Sequence, residues 1–209
     1  MDGRTTRQRL SEFASSRAIT LASITPLSQV QLDFAPRAGR WSVGEVADHL
    51  LLAEDLYRGE VEILIEMSRA GERPYRKHTF AEINVSPLGL PTSVLSYIEG
   101  PLTIMGRFLP DSVRRIVTEI PILPTRNPDF ATPRRRQADE LKRDLAASIA
   151  RTTALVEANT DLDLESMVTE HPLTGAANVT QVLTFLARHE RRHQGQMEAI
   201  RSDRRFPRA

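Results

Sequence analysis

Apolar residues recur at steps of three and four in four separate stretches of this chain, the period of a helix with one face turned inward. Leu10, Phe13, Ala14, Leu21 and Ile24 mark the first, about residues 5 to 24, with Arg17 interrupting the stripe. Pro26 closes it, and the segment to Arg40, with Pro36 and Gly39, reads as a connector. Ser42-Val43-Gly44-Glu45 then has the form of a capping box. The serine oxygen accepts the amide three residues on, and the glutamate reaches back to the serine amide. A second helix of about 28 residues is predicted from there, its stripe read as Val46, His49, Ala53, Leu56, Ile63 and Met67 with Glu60 as the polar interruption. Gly71 and Pro74 end it.

Thr132-Pro133 sets a cap residue before a proline at the first helical position, which predicts a third helix. Its stripe is Ala138, Leu141, Leu145, Ile149, Thr152, Leu155 and Val156. Residues 159–178 read as a second connector, and Asn178 with Gln181 predicts the cap of a fourth helix running to about Arg201. The middle of the chain is different. Pro74, Pro87, Pro91, Pro101, Pro110, Pro121, Pro124 and Pro128 are too many for an uninterrupted helix, so residues 71–131 are expected to be an elaborated crossover between the second and third helices. Within it, Thr92 to Phe108 fit one helix kinked at Gly100-Pro101, and Val113, Ile116, Val117 and Ile120 fit a helical turn or a short strand equally well. The expected fold is all-α: a four-helix bundle forming one domain over residues 1–209.

Several function classes lose support at once. There is no cysteine, which removes thiolate metal sites and a protein-borne thiol nucleophile; any metal has to be held by nitrogen and oxygen. A formal net charge of +1 gives no basic excess for nucleic acid, and the run Arg134-Arg135-Arg136 reads as a solvated surface feature. No apolar run suffices to cross a bilayer, and residues 1–10 are too polar for a signal peptide, so a cytoplasmic protein without membrane contact is expected. No glycine-rich phosphate loop, nucleophile elbow or strand-helix alternation is present.

Histidines occupy stripe positions. Val182, Leu186, His189, His193, Met197 and Ile200 follow one another at helical spacing, and His49 stands between Val46 and Ala53. A buried imidazole without a partner costs about 1–3 kcal/mol, so three would consume much of a stability of about 5–15 kcal/mol. Two histidines four residues apart are stacked about 6 Å along a helix axis and can bend toward one ion, as in helical zinc sites. A third imidazole from a facing helix completes three ligands suited to Zn, Ni, Co or Fe and leaves the fourth position to water or substrate. The plain alternative is a chance His-x-x-x-His in a charged segment. His189-Glu190-Arg191-Arg192-His193 also matches the metallopeptidase string, with Glu190 as a weak candidate for general base or for support behind the ligands, but the usual further ligand downstream is missing and an exposed helix charge is the simpler account of Glu190. Glu60 is 11 residues from His49, about 16 Å along the axis, too far to join the same ion. His78 and His171 are expected to be structural or exposed.

Trp41-Ser42-Val43-Gly44-Glu45-Val46-Ala47-Asp48-His49-Leu50 and Phe185-Leu186-Ala187-Arg188-His189-Glu190-Arg191-Arg192-His193-Gln194 resemble the two signatures of the DinB/YfiT-like superfamily, and His171-Pro172-Leu173 with Gly175 resembles its lead-in to the last helix. The resemblance covers roughly residues 5–70 and 132–201. It implies a four-helix bundle with a three-histidine metal site whose ligands fall on His49, His189 and His193. It also implies members that act as transferases or isomerases using low-molecular-weight thiols, and dimerisation through helix faces.

Two functions are therefore expected to compete. In one, the chain is a metal-dependent enzyme, its Zn, Ni or Fe activating a small-molecule thiol or water for transfer, isomerisation or hydrolase-like chemistry on a small-molecule substrate. A cysteine-free protein has to borrow such a thiol; Arg134 to Arg136, or Arg191 and Arg192, are candidates to receive a carboxylate on it, with surface solvation the simpler account of each. In the other, the metal only staples a non-catalytic bundle that works as a binding, sensor or dimerisation module.

Overall fold

The computed structural model describes residues 3–78, 133–171 and 175–208. Four long helices dominate: α1 (Gly3–Ile24), α3 (Val43–Arg69), α4 (Ala138–Glu157) and α5 (Val179–Arg201). A short helix, α2 (Gln29–Leu32), lies in the connector after α1. A sheet is formed by β1 (Tyr75–Lys77), β2 (Val168–His171) and β3 (Gly175–Asn178).

The local signals for α3 and α5 act as expected. Ser42 and Asn178 each accept the amide three residues on, while Glu45 and Gln181 reach back, closing two capping boxes. A third, between Ser28 and Gln31, caps α2 inside what the sequence presents as an irregular connector. Gly71 ends α3 at φ 74°. Its amide bonds to Ser68 and that of Glu72 to Met67, a Schellman closure whose left-handed residue favours glycine. Gly44 lets α3 approach α2: a Cβ there would stand 3.1 Å from the Leu32 carbonyl oxygen.

The third helix starts later than Thr132-Pro133 predicts. Residues 133–137 are not helical, and α4 begins at Ala138 behind Gln137, which makes no side-chain cap. Tertiary partners hold this segment: Asp48 of α3 accepts the Arg134 amide at 2.7 Å, and Gln29 of α2 accepts the Ala138 amide at 2.8 Å. Thr132 lies outside the described residues, as do the helix expected at 92–108, the apolar run at 113–120 and most of the 71–131 crossover.

The mostly helical structure fits the all-α expectation, with a small sheet in addition. β1 pairs parallel with β2, and β2 antiparallel with β3, which runs directly into α5. These strands of three and four residues carry no readable alternation of their own; they form because the end of α3 and the lead-in to α5 lie side by side.

The core is in two parts. One holds Leu10 and Phe13 of α1, Val61 and Leu64 of α3, Val156 of α4 and Leu183 of α5. The other holds Ile24 of α1, Val46 and Leu50 of α3, Leu141 of α4 and Met197 of α5. The order along each helix fixes direction: α1 and α5 run one way, α3 and α4 the other. Helix α1 packs on α5 and α4, and α3 on α5 and α4. Among the described residues no helix is long and apolar enough to cross a membrane.

Candidate metal centre

Between the two apolar layers, every long helix contributes polar side chains at the same level. They are Arg17 and Thr20 on α1, Glu54 on α3, Ser148 and Thr152 on α4, and Glu190 and His193 on α5, all buried. His49 and His189 sit at the edge of this belt, half-buried.

The three histidines meet. Nε2 of His189 lies 3.3 Å from Nε2 of His49 and 3.1 Å from Nε2 of His193. One nitrogen from each ring falls within 4.8 Å of the others, the single such grouping of potential metal ligands among the described residues. Zinc bonded to imidazole at about 2.0–2.1 Å with tetrahedral angles sets its ligand atoms about 3.3–3.4 Å apart, close to the two Nε2 spacings here.

The surroundings favour neutral rings. Burial, then the neighbouring His193 and His49, push the His189 pKa well below its ordinary value. Arg192 and Arg17 act in the same direction. Burial and His49 bring His193 down to about 4, against the opposing effect of its hydrogen bond to Gln196. That bond, 2.8 Å between His193 Nδ1 and Gln196 Oε1, also fixes the tautomer: an amide carbonyl only accepts, so in the neutral ring the proton is on Nδ1 and the Nε2 lone pair faces the cluster. Trp41 covers His49 at a centroid distance of 5.0 Å and stacks on His193 at 6.5 Å. Phe185 stacks on His189 at 5.4 Å, with Tyr57 against Phe185 at 5.1 Å. The donors are thus clustered nitrogen atoms in an aromatic surround, the donor type suited to a borderline transition ion and not to Mg or Ca.

Glu190 departs from the sequence reading. It is 1% exposed, not a surface charge. Arg17 Nε donates to its Oε1 at 2.6 Å, and Thr20 donates to its Oε2. Arg17 Nη1 also donates to Glu54 Oε2 at 2.7 Å and to the Leu145 carbonyl at 3.2 Å, while Thr152 donates to Glu54 Oε1 at 2.6 Å. Arg17 Nη2 stands 2.5 Å from Glu190 Oε1 without the alignment of a hydrogen bond; the contact is an ion pair by distance only. With both oxygens engaged, Glu190 is poorly placed for the general-base role that its string suggests.

Glu54 is missed in the sequence because the face of α3 is misread. The stripe through Leu56 and Ile63 is an edge, these two being 41% and 38% exposed, whereas the buried face runs through Val46, Leu50, Glu54, Val61 and Leu64. The signal that could have found the triad is three complementary charges at core-stripe positions on three helices.

The remaining candidates lie elsewhere. Glu60 pairs with His78 at 2.8 Å and with Arg76 at 3.4 Å, beside the sheet. His171 is lowered to about 4 by burial and by His78, and Tyr57 is raised to about 12 by burial and by Glu60. Arg136 is engaged by Glu140 at 2.6 Å, by Asp144 and by Asp48 at 3.5 Å, while Arg134 and Arg135 line a cleft of about 640 Å³ with Asp55 and Arg151.

A family model described as the DinB superfamily matches residues 12–197. No curated protein and no solved structure matches the chain.

Proposed function

From the premise that this chain belongs to the DinB superfamily, we propose that it is a metal-dependent enzyme whose His49, His189 and His193 hold one divalent transition ion, Zn, Ni or Fe. The observation that carries this reading is the convergence of three imidazole nitrogens, two contacts of which are 3.3 and 3.1 Å. Three protein ligands leave a coordination position open, as catalytic sites require. An ion so held supplies a Lewis acid that lowers the pKa of a bound water or thiol and yields a nucleophile near neutral pH.

The side chains have defined parts in this reading. Gln196 holds His193 in the tautomer with Nε2 free to ligate. Trp41 and Phe185 limit water at the rings and offer flat apolar surface to a substrate. Because the chain has no cysteine, a thiol nucleophile has to come from a low-molecular-weight thiol, and the reaction read here is its transfer to an electrophilic small molecule. In the same reading the four long helices form a four-helix bundle, residues 71–131 belong to that one domain, and the protein works in the cytoplasm as a homodimer without nucleic acid or membrane partners.

Metal analysis of untagged protein beside a His49→Ala, His189→Ala, His193→Ala triple variant tests the site. About one Zn, Ni or Fe per chain is expected in the parent and none in the variant; a parent that stays empty after reconstitution with each metal overturns the reading. His49→Ala alone is expected to abolish thiol transfer with a modest change in melting temperature. A large fall in melting temperature and no thiol transfer by the metal-loaded parent would assign the ion a structural role instead.

A further inference from the structure

The buried belt carries unequal charge. Arg17, Glu54 and Glu190 are each 1% exposed or less, and they bring two carboxylates against one guanidinium. All four carboxylate oxygens have donors, from Arg17, Thr20 and Thr152. Such donors satisfy hydrogen bonding but leave one negative charge in excess in the core, an arrangement that is costly unless a cation lies nearby.

The three-histidine cluster has the opposite defect. Neutral imidazoles hold a divalent ion without cancelling its charge, and His49 and His189 place this site at the half-buried edge of the same belt. The two features adjoin: Glu190 follows His189 directly on α5, Glu54 is five residues beyond His49 on α3, and Arg17 clamps both carboxylates together.

We propose that the Arg17–Glu54–Glu190 triad is the counter-charge of the metal centre, Glu54 supplying the negative charge that Arg17 leaves unmatched. This rests on the metal-site reading above and assigns Glu54 a positioning and electrostatic role, without contact to the ion. Glu54 and Glu190 both contribute carboxylates against the one Arg17 guanidinium, so metal affinity depends on residues outside the ligand set.

The test is Zn²⁺ affinity, measured by competition with a chromophoric chelator on the full chain, together with melting temperatures of metal-free and zinc-loaded protein. Glu54→Gln keeps the shape and lets the amide oxygen accept from Arg17 while its NH₂ donates to Thr152. It is expected to weaken Zn²⁺ binding tenfold to a hundredfold and to shrink the stabilisation by zinc, with little loss in the metal-free protein. Thr152→Val removes a hydrogen bond to Glu54 but no charge, and is expected to lower both melting temperatures together with the affinity unchanged. Glu190→Gln serves as the second charge-removing variant if Glu54→Gln does not fold. Parental affinity in the charge-removing variant, or an equal affinity loss in Thr152→Val, overturns the counter-charge role while leaving the metal site intact. A parent protein that takes up no Zn²⁺ overturns the metal reading itself.

Discussion

The Asp48 carboxylate accepts the backbone amide of Arg134 at 2.7 Å, so the residue just before the candidate ligand His49 also anchors the chain where it returns to begin α4. Asp48 is 2% exposed and reaches the Arg136 guanidinium at 3.5 Å as well. Removing the acceptor loses a hydrogen bond to a buried carboxylate, worth about 1.5–3 kcal/mol. Asp48→Ala is therefore expected to lower the melting temperature by several degrees, at about 2–4 °C per kcal/mol for a domain of this size. Asp48→Asn, which keeps an acceptor oxygen, should lose less. A thermal melt of Asp48→Ala that matches the parent would refute the anchoring account.

Gln196 controls a proton on His193. Without its carbonyl, nothing in that contact holds Nδ1–H, and the Nε2 lone pair is no longer committed to the cluster. Gln196→Leu should reduce Zn²⁺ affinity tenfold to a hundredfold while the helix content stays that of the parent. Competition against a chelator, beside a circular dichroism spectrum, separates this from unfolding.

The buried ion pairs predict an unusual asymmetry. Arg17→Met leaves two carboxylates in the core without their cation and should cost about 3–5 kcal/mol. Replacing Arg17, Glu54 and Glu190 together by Met, Leu and Leu removes all three charges and should be close to neutral for the metal-free fold. Urea melts of both variants decide this; a triple variant as unstable as Arg17→Met would show that the triad is needed for packing and not only for charge balance.

Acid should destabilise the metal-free protein through its buried histidines. His171 and His193 are both lowered to about 4 by burial, so the folded protein releases protons that the unfolded chain still binds below about 6.5. Stability rises with pH wherever the unfolded state binds more protons. The sign is therefore a loss of stability as pH falls from about 6.5 toward about 4, where these two rings would have to charge inside the fold. Melting temperatures recorded across this window, with the same series on His171→Asn, should show the variant with the shallower slope. A flat profile in the parent would mean that these rings do not titrate in the way their burial requires.

Much of this protein is legible along the chain because it is local. The capping boxes at Ser42 and Asn178 act within one helical turn, so both helix starts and both candidate ligand helices follow from neighbouring residues. His189 and His193 share a face for the same reason: they are one turn apart. What only the tertiary structure decided is which positions face which neighbours. A one-residue shift in the reading of the α3 stripe hides Glu54, because Leu56 and Ile63 carry the helical period as well as the true core residues do. The late start of α4 depends on Asp48, 86 residues away, and the small sheet on the end of α3 lying beside the lead-in to α5. Arg17, Glu54 and Glu190 are each an isolated charge in the sequence; only helix packing brings them together, since burial of a charge requires partners that spacing along one helix does not reveal.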